Sequence, residues 1–350
     1  MAILGAAHYY VWLRFVAASH LPTPWHAIAT AAIILLAPSL PVATMLLRRL
    51  PRARAKPFVW LAYTGFGLSV YLLLAAGATH LLCAVAGTDP RAAALAGVIG
   101  AAVTVIYGLV HVANGPIVRG VRIVLPGLPE AADGYTIVQL TDVHIGPILG
   151  DRFATDVVAK VNALAPDLIV ITGDLVDGSL RELRRHIEPL RALEARDGVY
   201  AVTGNHEYYW DASAWLEHLR SLGMHTLRNQ RVTIRDAFEL AGVDDSPASE
   251  DIPGALAGRN PTLPVVLLAH HPRTIARAVA AGVDLQLSGH THGGQLLPFG
   301  WLSRLFEPHI AGLARFGSTW LYVSEGTGFW GPPMRIGTSS EIALITLAAR

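Results

Sequence analysis

Three long stretches of this 350-residue chain contain no Asp, Glu, Lys or Arg: Trp25 to Leu47, Phe58 to Val85 and Ala92 to Val118. Each exceeds the roughly 20 residues needed to cross a hydrocarbon core of about 30 Å. A fourth stretch, Met1 to Leu13, is short and runs into Arg14. It spans only if Arg14 snorkels and the helix continues through Phe15 to Ala18. A signal peptide is the other reading of this first stretch, but it lacks a basic start and a small-residue cleavage site. Residues 1–118 are therefore predicted to be an all-α transmembrane anchor of three or four spans. The composition agrees, with 52% hydrophobic and 15% charged residues and a mean hydropathy of +0.42; charged residues make up about a quarter of ordinary soluble chains. His8, His26, His80, His111 and Asn114 lie in or beside the spans. A proton path or haem would use such residues, but helix-end positions or contacts between helices explain them more simply.

The loops set the orientation. Arg48 to Lys56 carries five positive charges and no negative one, and Arg119 and Arg122 come after the last span. Loops rich in Lys and Arg stay on the cytoplasmic side. Two spans separate these clusters, so both put the C-terminal region in the cytoplasm, with the chain multi-pass in the cell (inner) membrane.

A net charge of +1 hides a split, because only seven of the 27 basic and one of the 26 acidic residues precede Arg119. Residues 119–350 thus form a mildly acidic domain with no basic stripe for nucleic acid. Cys83 is the single cysteine and lies in an apolar run. An intrachain disulfide and a cysteine-based zinc site are both excluded, so any metal must be held by His and carboxylate.

From Val121 onward, short apolar runs alternate with amphipathic segments. Strands are predicted at Tyr135 to Thr141, Asp167 to Thr172, Val199 to Thr203, Val265 to Ala269, Asp284 to Ser288, Leu321 to Ser324 and Glu341 to Leu347. Helices are predicted at Asp151 to Leu164, Leu180 to Ala195 and from an Asp211 cap to Leu222, with hairpin material over Met224 to Val243. Such alternation predicts an α/β layered fold with helices packed on sheets.

The most informative positions lie just past each strand. Five apolar runs end in Asp142-Val143-His144, Gly173-Asp174, Gly204-Asn205-His206-Glu207, His270-His271 and Gly289-His290-Thr291-His292-Gly293-Gly294. In open α/β sheets, ligands bind beyond the carboxyl ends of the strands. Glycines 173, 204 and 289 are expected to let the backbone turn tightly there. Asp, Asn and His together suit divalent Mn, Fe or Zn. Two such ions about 3.5–4 Å apart clamp the attacking and leaving oxygens of an in-line displacement. Each motif alone has a structural explanation; all five in order do not.

This ordered set resembles the calcineurin-like metallophosphoesterase family over roughly Tyr135 to Leu347. With the multi-span N-terminus, and with Val323 to Pro333 near the end, it is similar to the membrane-anchored bacterial branch. The resemblance implies a four-layer α/β sandwich and two divalent metal ions (Mn, Fe or Zn). Asp142, His144 and His292 would hold the first ion, Asp174 would bridge, and Asn205, His270 and His290 would complete the second. A bridging hydroxide would attack. His206 would protonate the leaving group, and Glu207 would orient the His206 imidazole. His270 directly succeeds its strand and is chosen over His271. Thr291 and Gln295 are read as structural.

Leu296, Leu297, Phe299, Trp301, Leu302, Leu305 and Phe306 come after the last metal motif. An apolar, Trp-bearing segment beside the site in a tethered domain suggests a substrate with a lipid tail. The expected reaction is hydrolysis of a phosphoester or pyrophosphate in a membrane lipid or lipid precursor; some relatives cleave the pyrophosphate of UDP-diacylglucosamine. The expected partners are the lipid bilayer and a phosphate-containing substrate, with no nucleic acid and no obligate protein partner. The alternatives are a tethered phosphodiesterase for soluble nucleotides and a non-enzymatic scaffold with a degenerate domain. The complete ligand set argues against degeneration.

Overall fold

The computed structural model describes residues 2–246 and 248–349. The chain divides into two compact units. One comprises residues up to Asn114 together with Gly331–Ile336, and the other comprises Gly115–Trp330 together with the chain from Gly337.

The first unit is helical: α1 (Ala2–Trp12), α2 (Thr23–Leu36), α3 (Ser39–Arg49), α4 (Arg52–Ala86) and α5 (Pro90–Ala113). Two of these helices, over Arg54–Ala86 and Pro90–Ala113, are long and apolar enough to cross a membrane. The stretch expected as one span from Trp25 to Leu47 is instead two helices bent by 43°. Pro38 sits at the break and Pro41 lies just beyond it; prolines remove the backbone donors that a continuous helix needs there. If α2 and α3 count as one broken span, the total is three. The first stretch ends α1 at Trp12 and continues as a wide turn of helix over Leu13–Ala17, and with 11 residues α1 is too short to cross a membrane on its own. Its polar groups find partners on neighbouring helices. His8 Nε2 lies 3.0 Å from Ser69 Oγ, Tyr10 Oη 2.9 Å from His80 Nδ1, and Trp12 Nε1 donates to Thr30 Oγ1 at 2.9 Å.

The second unit is built on two six-stranded sheets. Its strands are β1 (Ile117–Val124), β2 (Thr136–Leu140), β3 (Leu168–Thr172), β4 (Val199–Val202), β5 (His225–Thr226), β6 (Gln230–Ile234), β7 (Phe238–Gly242), β8 (Val265–Leu268), β9 (Leu285–Ser288), β10 (Gly312–Phe316), β11 (Thr319–Val323) and β12 (Glu341–Ala348). One sheet runs β1-β12-β2-β3-β4-β5 and the other β10-β11-β9-β8-β7-β6. Strands β2 to β5 are mutually parallel, as are β7, β8, β9 and β11. The helices are α6 (Asp151–Asn162), α7 (Leu180–Ile187), α8 (Asn205–Tyr209), α9 (Ala212–Ser221), α10 (Ile252–Ala255), α11 (Ile275–Ala280) and α12 (Phe299–Ser303).

Side chains alternate across each strand and so divide the core into layers. Ile137, Leu168 and Val170 from the first sheet meet Leu240, Val266, Leu268, Leu285 and Leu287 from the second in one buried cluster. Their neighbours Val138, Ile169 and Ile171 point the other way, onto Val157, Val161, Leu183, Trp215 and Leu219 of α6, α7 and α9. On the far side of the second sheet, Val265 and Leu267 pack with Ile252, Ile275 and Ala278 of α10 and α11. Helices, sheet, sheet and helices make four layers. Strands buried on both faces read as continuous apolar runs, which is how they stand in the sequence.

Two local departures have simple causes. The helix expected to run from Leu180 to Ala195 ends at Ile187 and tightens into a 3₁₀ turn over Glu188–Ala192, because Pro189 cannot donate within a continuing α-helix. The expected hairpin segment splits, with β5 joining the first sheet through β4 while β6 and β7 form the hairpin in the second.

Phe238 is fully buried between the sheets, edge-on to Tyr135 with ring centroids 5.3 Å apart. Phe238→Ala is expected to cost about 3–5 kcal/mol of stability, read as a lowered unfolding midpoint of the full chain in detergent.

Candidate metal centre

The five strand-end motifs converge. β2 delivers Asp142 and His144, β3 delivers Asp174, and β4 runs into α8 with Asn205 and His206 in its first turn. β8 delivers His270, and β9 delivers His290 and His292. Asp142, His144, Asp174, His290 and His292 all have positive φ, between 49° and 70°. Such left-handed backbone is uncommon outside glycine, and Asp, Asn and His tolerate it best. Clustered outliers of this kind mark places where surrounding structure holds a functional geometry against local preference.

The glycines of the motifs work in two ways. Gly173 has φ +92° and supplies the turn expected of it. Gly204 and Gly289 do not have positive φ; they are small because neighbours press on them. A Cβ at Gly204 would overlap the Asp174 carboxylate, and one at Gly289 would overlap Thr141 Oγ1 and the Asp142 carboxylate.

Two groups of donor atoms result. In the first, His292 Nε2 lies 3.0 Å from His144 Nε2 and 3.3 Å from Asp142 Oδ1, with His144 Nε2 3.9 Å from that same oxygen. In the second, Asp174, His270 and His290 bring their donor atoms within 4.8 Å of one another. Asp174 Oδ2 stands between the groups, 3.2 Å from His270 Nε2 and 4.0 Å from His144 Nε2. Donors about 2.0–2.2 Å from a common ion sit roughly 3–3.5 Å apart, so the first group has the spacing of a coordination shell. Two of the donors are also buried without a hydrogen-bond partner: Asn205 Oδ1 and His290 Nδ1. Buried polar atoms ordinarily find partners. A pair of divalent cations is the partner that fits this donor set.

The backbone locks the carboxylates in place. Asp142 accepts from the His290 N–H (2.9 Å) and from Thr141 Oγ1 (2.8 Å), and Asp174 Oδ1 accepts from the His206 N–H (2.8 Å). Electrostatics reflect burial among opposite charges. Burial alone would depress the His144 pKa, but Asp177, Asp174 and Asp142 outweigh it and raise it to about 9. Burial opposes ionisation of Asp174 as well, yet His270, His144 and His206 hold it well below the usual carboxylate range. Burial, with His270 and His271 beside it, pushes His290 down to about 2, so its imidazole is neutral and free to donate a lone pair. The carboxylates thus set a local potential that stabilises positive charge at His144.

Glu207 does not have the neighbour expected of it. The expected partner is the His206 imidazole, but the carboxylate is buried and accepts from the backbone N–H groups of Gly204 (2.7 Å), Asp174 (3.0 Å) and Leu175 (2.8 Å). It therefore ties the β4 loop to the β3 loop. Burial and the nearby Asp174 raise its pKa to about 7. The carboxylate on His206 Nδ1 is Asp177, whose other oxygen lies 3.2 Å from His144 Nδ1. Asp177 is not among the residues to which the sequence motifs point. The one available signal is its place three residues after Asp174 in the same strand-end loop. His271, the alternative to His270, belongs to a further group with His290 and Glu307, which shares His290 with the second donor group. Its ring lies 3.8 Å from that of His290, with Nε2 3.6 Å from Asp245 and Nδ1 3.8 Å from Glu307. Thr291 and Gln295 serve the scaffold, Thr291 Oγ1 donating to the Ile310 carbonyl at 2.6 Å.

A sandwich of two mixed sheets with Asp and His donors gathered at the strand ends is the architecture of a metallophosphoesterase. The chain belongs to the calcineurin-like phosphoesterase family, whose sequence profile matches residues 135–294. It is 40% identical over 282 residues to a "Transmembrane protein with metallophosphoesterase domain" of Danio rerio, covering 75% of this chain and 64% of that protein. It is 34% identical over 232 residues to an uncharacterized metallophosphoesterase of Aquifex aeolicus, covering 64% of this chain and 88% of the relative. For the uncharacterized metallophosphoesterase YkuE of Bacillus subtilis the figures are 33% over 234 residues, 63% and 81%. The chain thus spans less than two-thirds of the length of the Danio rerio relative.

Asp177→Asn is expected to lower metal affinity or turnover by about 10–100-fold, since such partners orient metal-binding imidazoles; metal titration and kcat together check it. Gly289→Ala is expected to lose metal from the Asp142 group, seen by elemental analysis of the purified protein.

Proposed function

We propose that this protein is a membrane-anchored, dinuclear-metal-dependent hydrolase of phosphoester or pyrophosphate bonds. In this reading residues 1–118 are the anchor and residues 119–350 the catalytic domain, held on the cytoplasmic face of the inner membrane. The observation that carries it is the position of Asp174 Oδ2, within 4.0 Å of both His144 Nε2 and His270 Nε2. Asp142, His144 and His292 would hold one ion and Asn205, His270 and His290 the other, with Asp174 common to both and Mn, Fe or Zn as the metals. When bound, such a pair neutralises phosphate oxygens and makes water a nucleophile at neutral pH.

The protein groups do the rest. His206 Nδ1 is held by Asp177, which leaves Nε2, 3.8 Å from Asp174 Oδ2, to hand a proton to the departing oxygen. Proton transfer of this kind contributes typically 10²–10⁴-fold. Glu207 acts at one remove, by fixing the backbone that carries Asp174 and Gly204.

The substrate reading favours a lipid. Leu296 is buried, but Leu297, Phe299, Trp301, Leu302, Leu305 and Phe306 are all exposed, the last at 81%. Contiguous exposed apolar surface of this kind marks interaction sites, and a lipid-bearing phosphoester supplies an apolar counterpart. Helices apolar enough to span and a relative named as transmembrane support a reaction beside a bilayer.

The protein in detergent is expected to hydrolyse bis-(p-nitrophenyl) phosphate with Mn, and Asp174→Asn and His206→Ala to abolish it; undiminished turnover in both variants would refute the enzyme. Lipid-linked phosphoesters are expected to turn over faster than soluble ones, and Trp301→Ser with Phe306→Ser to remove that advantage alone. Equal or better turnover of the soluble set removes the lipid reading.

A further inference from the structure

Two exposed aromatic rings stand against His206. The Tyr209 ring centroid is 5.1 Å from the His206 imidazole and that of Trp330 is 5.9 Å away. Tyr209 is 67% exposed and Trp330 57%. Neither ring is part of the donor groups, and neither is needed to fill the core.

Both are nevertheless held in place from beneath. Gln295 is buried, and its side-chain amide makes a two-point clamp on the Trp330 backbone: Nε2 donates to the Trp330 carbonyl at 2.9 Å, and Oε1 accepts from the Trp330 N–H at 3.0 Å. Gln295 comes directly after the His292–Gly294 turn and itself has φ +47°. The loop that positions His292 therefore also holds the backbone that carries the indole. The Tyr209 hydroxyl accepts from Asn205 Nδ2 at 3.3 Å. The Tyr209 ring and the Trp330 backbone are thus each tied to a residue of the donor loops, and both side chains stay largely exposed beside the His206 imidazole. An ordered, wet aromatic face beside a catalytic group has lost side-chain freedom without gaining burial. A ligand ring that stacks there recovers that loss.

We propose that Tyr209 and Trp330 form a subsite for a leaving group that carries a planar aromatic ring. This rests on the phosphoesterase reading, because His206 marks the leaving-group side of the phosphate. The two residues select by stacking, and Gln295 acts as a positioning residue through Trp330.

The test is binding, not turnover. Manganese-loaded full-length protein in detergent is titrated calorimetrically with methylphosphonate, phenylphosphonate and cyclohexylphosphonate, which resist hydrolysis. The wild type is expected to bind phenylphosphonate roughly tenfold tighter than methylphosphonate, as aromatic stacking typically supplies, with cyclohexylphosphonate in between. Trp330→Ala and Tyr209→Ala are each expected to shrink that preference, while Trp330→Phe keeps most of it. Equal affinity for phenyl and methyl compounds in the wild type, cyclohexyl binding as tight as phenyl, or an undiminished preference in both alanine variants overturns this inference alone. Failure of the metal-loaded wild type to bind any phosphonate overturns the phosphoesterase reading and this inference with it.

Discussion

The Asp174 carboxylate is the point on which the architecture turns. It is buried, ionised, and placed where imidazoles from three other strand-end loops approach it: His144 from β2, His206 from α8 and His270 from β8. Burying a charge without compensation is prohibitively costly. The fold meets that cost with donors from both sheets, so the two halves of the sandwich must close in register for the site to exist. The backbone contributes equally, since Asp174 Oδ1 takes the His206 N–H and the Asp174 N–H goes to Glu207.

The same constraint divides the labour among the carboxylates. Asp142 and Asp174 face the donor groups. Asp177 sits behind the imidazoles of His144 and His206 and sets which nitrogen each presents forward. Glu207 faces away, into the backbone of the β3 and β4 loops. Four acids close to the centre thus have three different functions, separated by where their neighbours stand and not by residue type.

Much of this is legible in the chain. The charge-free runs announce helices, and the apolar runs announce strands buried on both faces. Glycine, Asp, Asn and His at the ends of those runs announce the converging loops. Other features are not legible. A strand-end acid such as Asp177 looks like Asp174 until the distances are known. Pairing Glu207 with its neighbour His206 overlooks that α8 turns the two side chains in different directions. The break between α2 and α3 at Pro38 is visible as a proline but not as a 43° bend.

Local chemistry along the sequence determined which segments become strands and helices, that a metal here must be held by oxygen and nitrogen donors, and which residue types stand at the strand ends. Only the tertiary structure decided which side chains share a centre, that Asp177 and not Glu207 supports His206, and that the Tyr209 and Trp330 rings stand beside His206. The reason is physical. Periodicity and turn preference act over a few residues, whereas donors such as Asp142 and His292 lie 3.3 Å apart only because strands distant in the chain pack into two registered sheets.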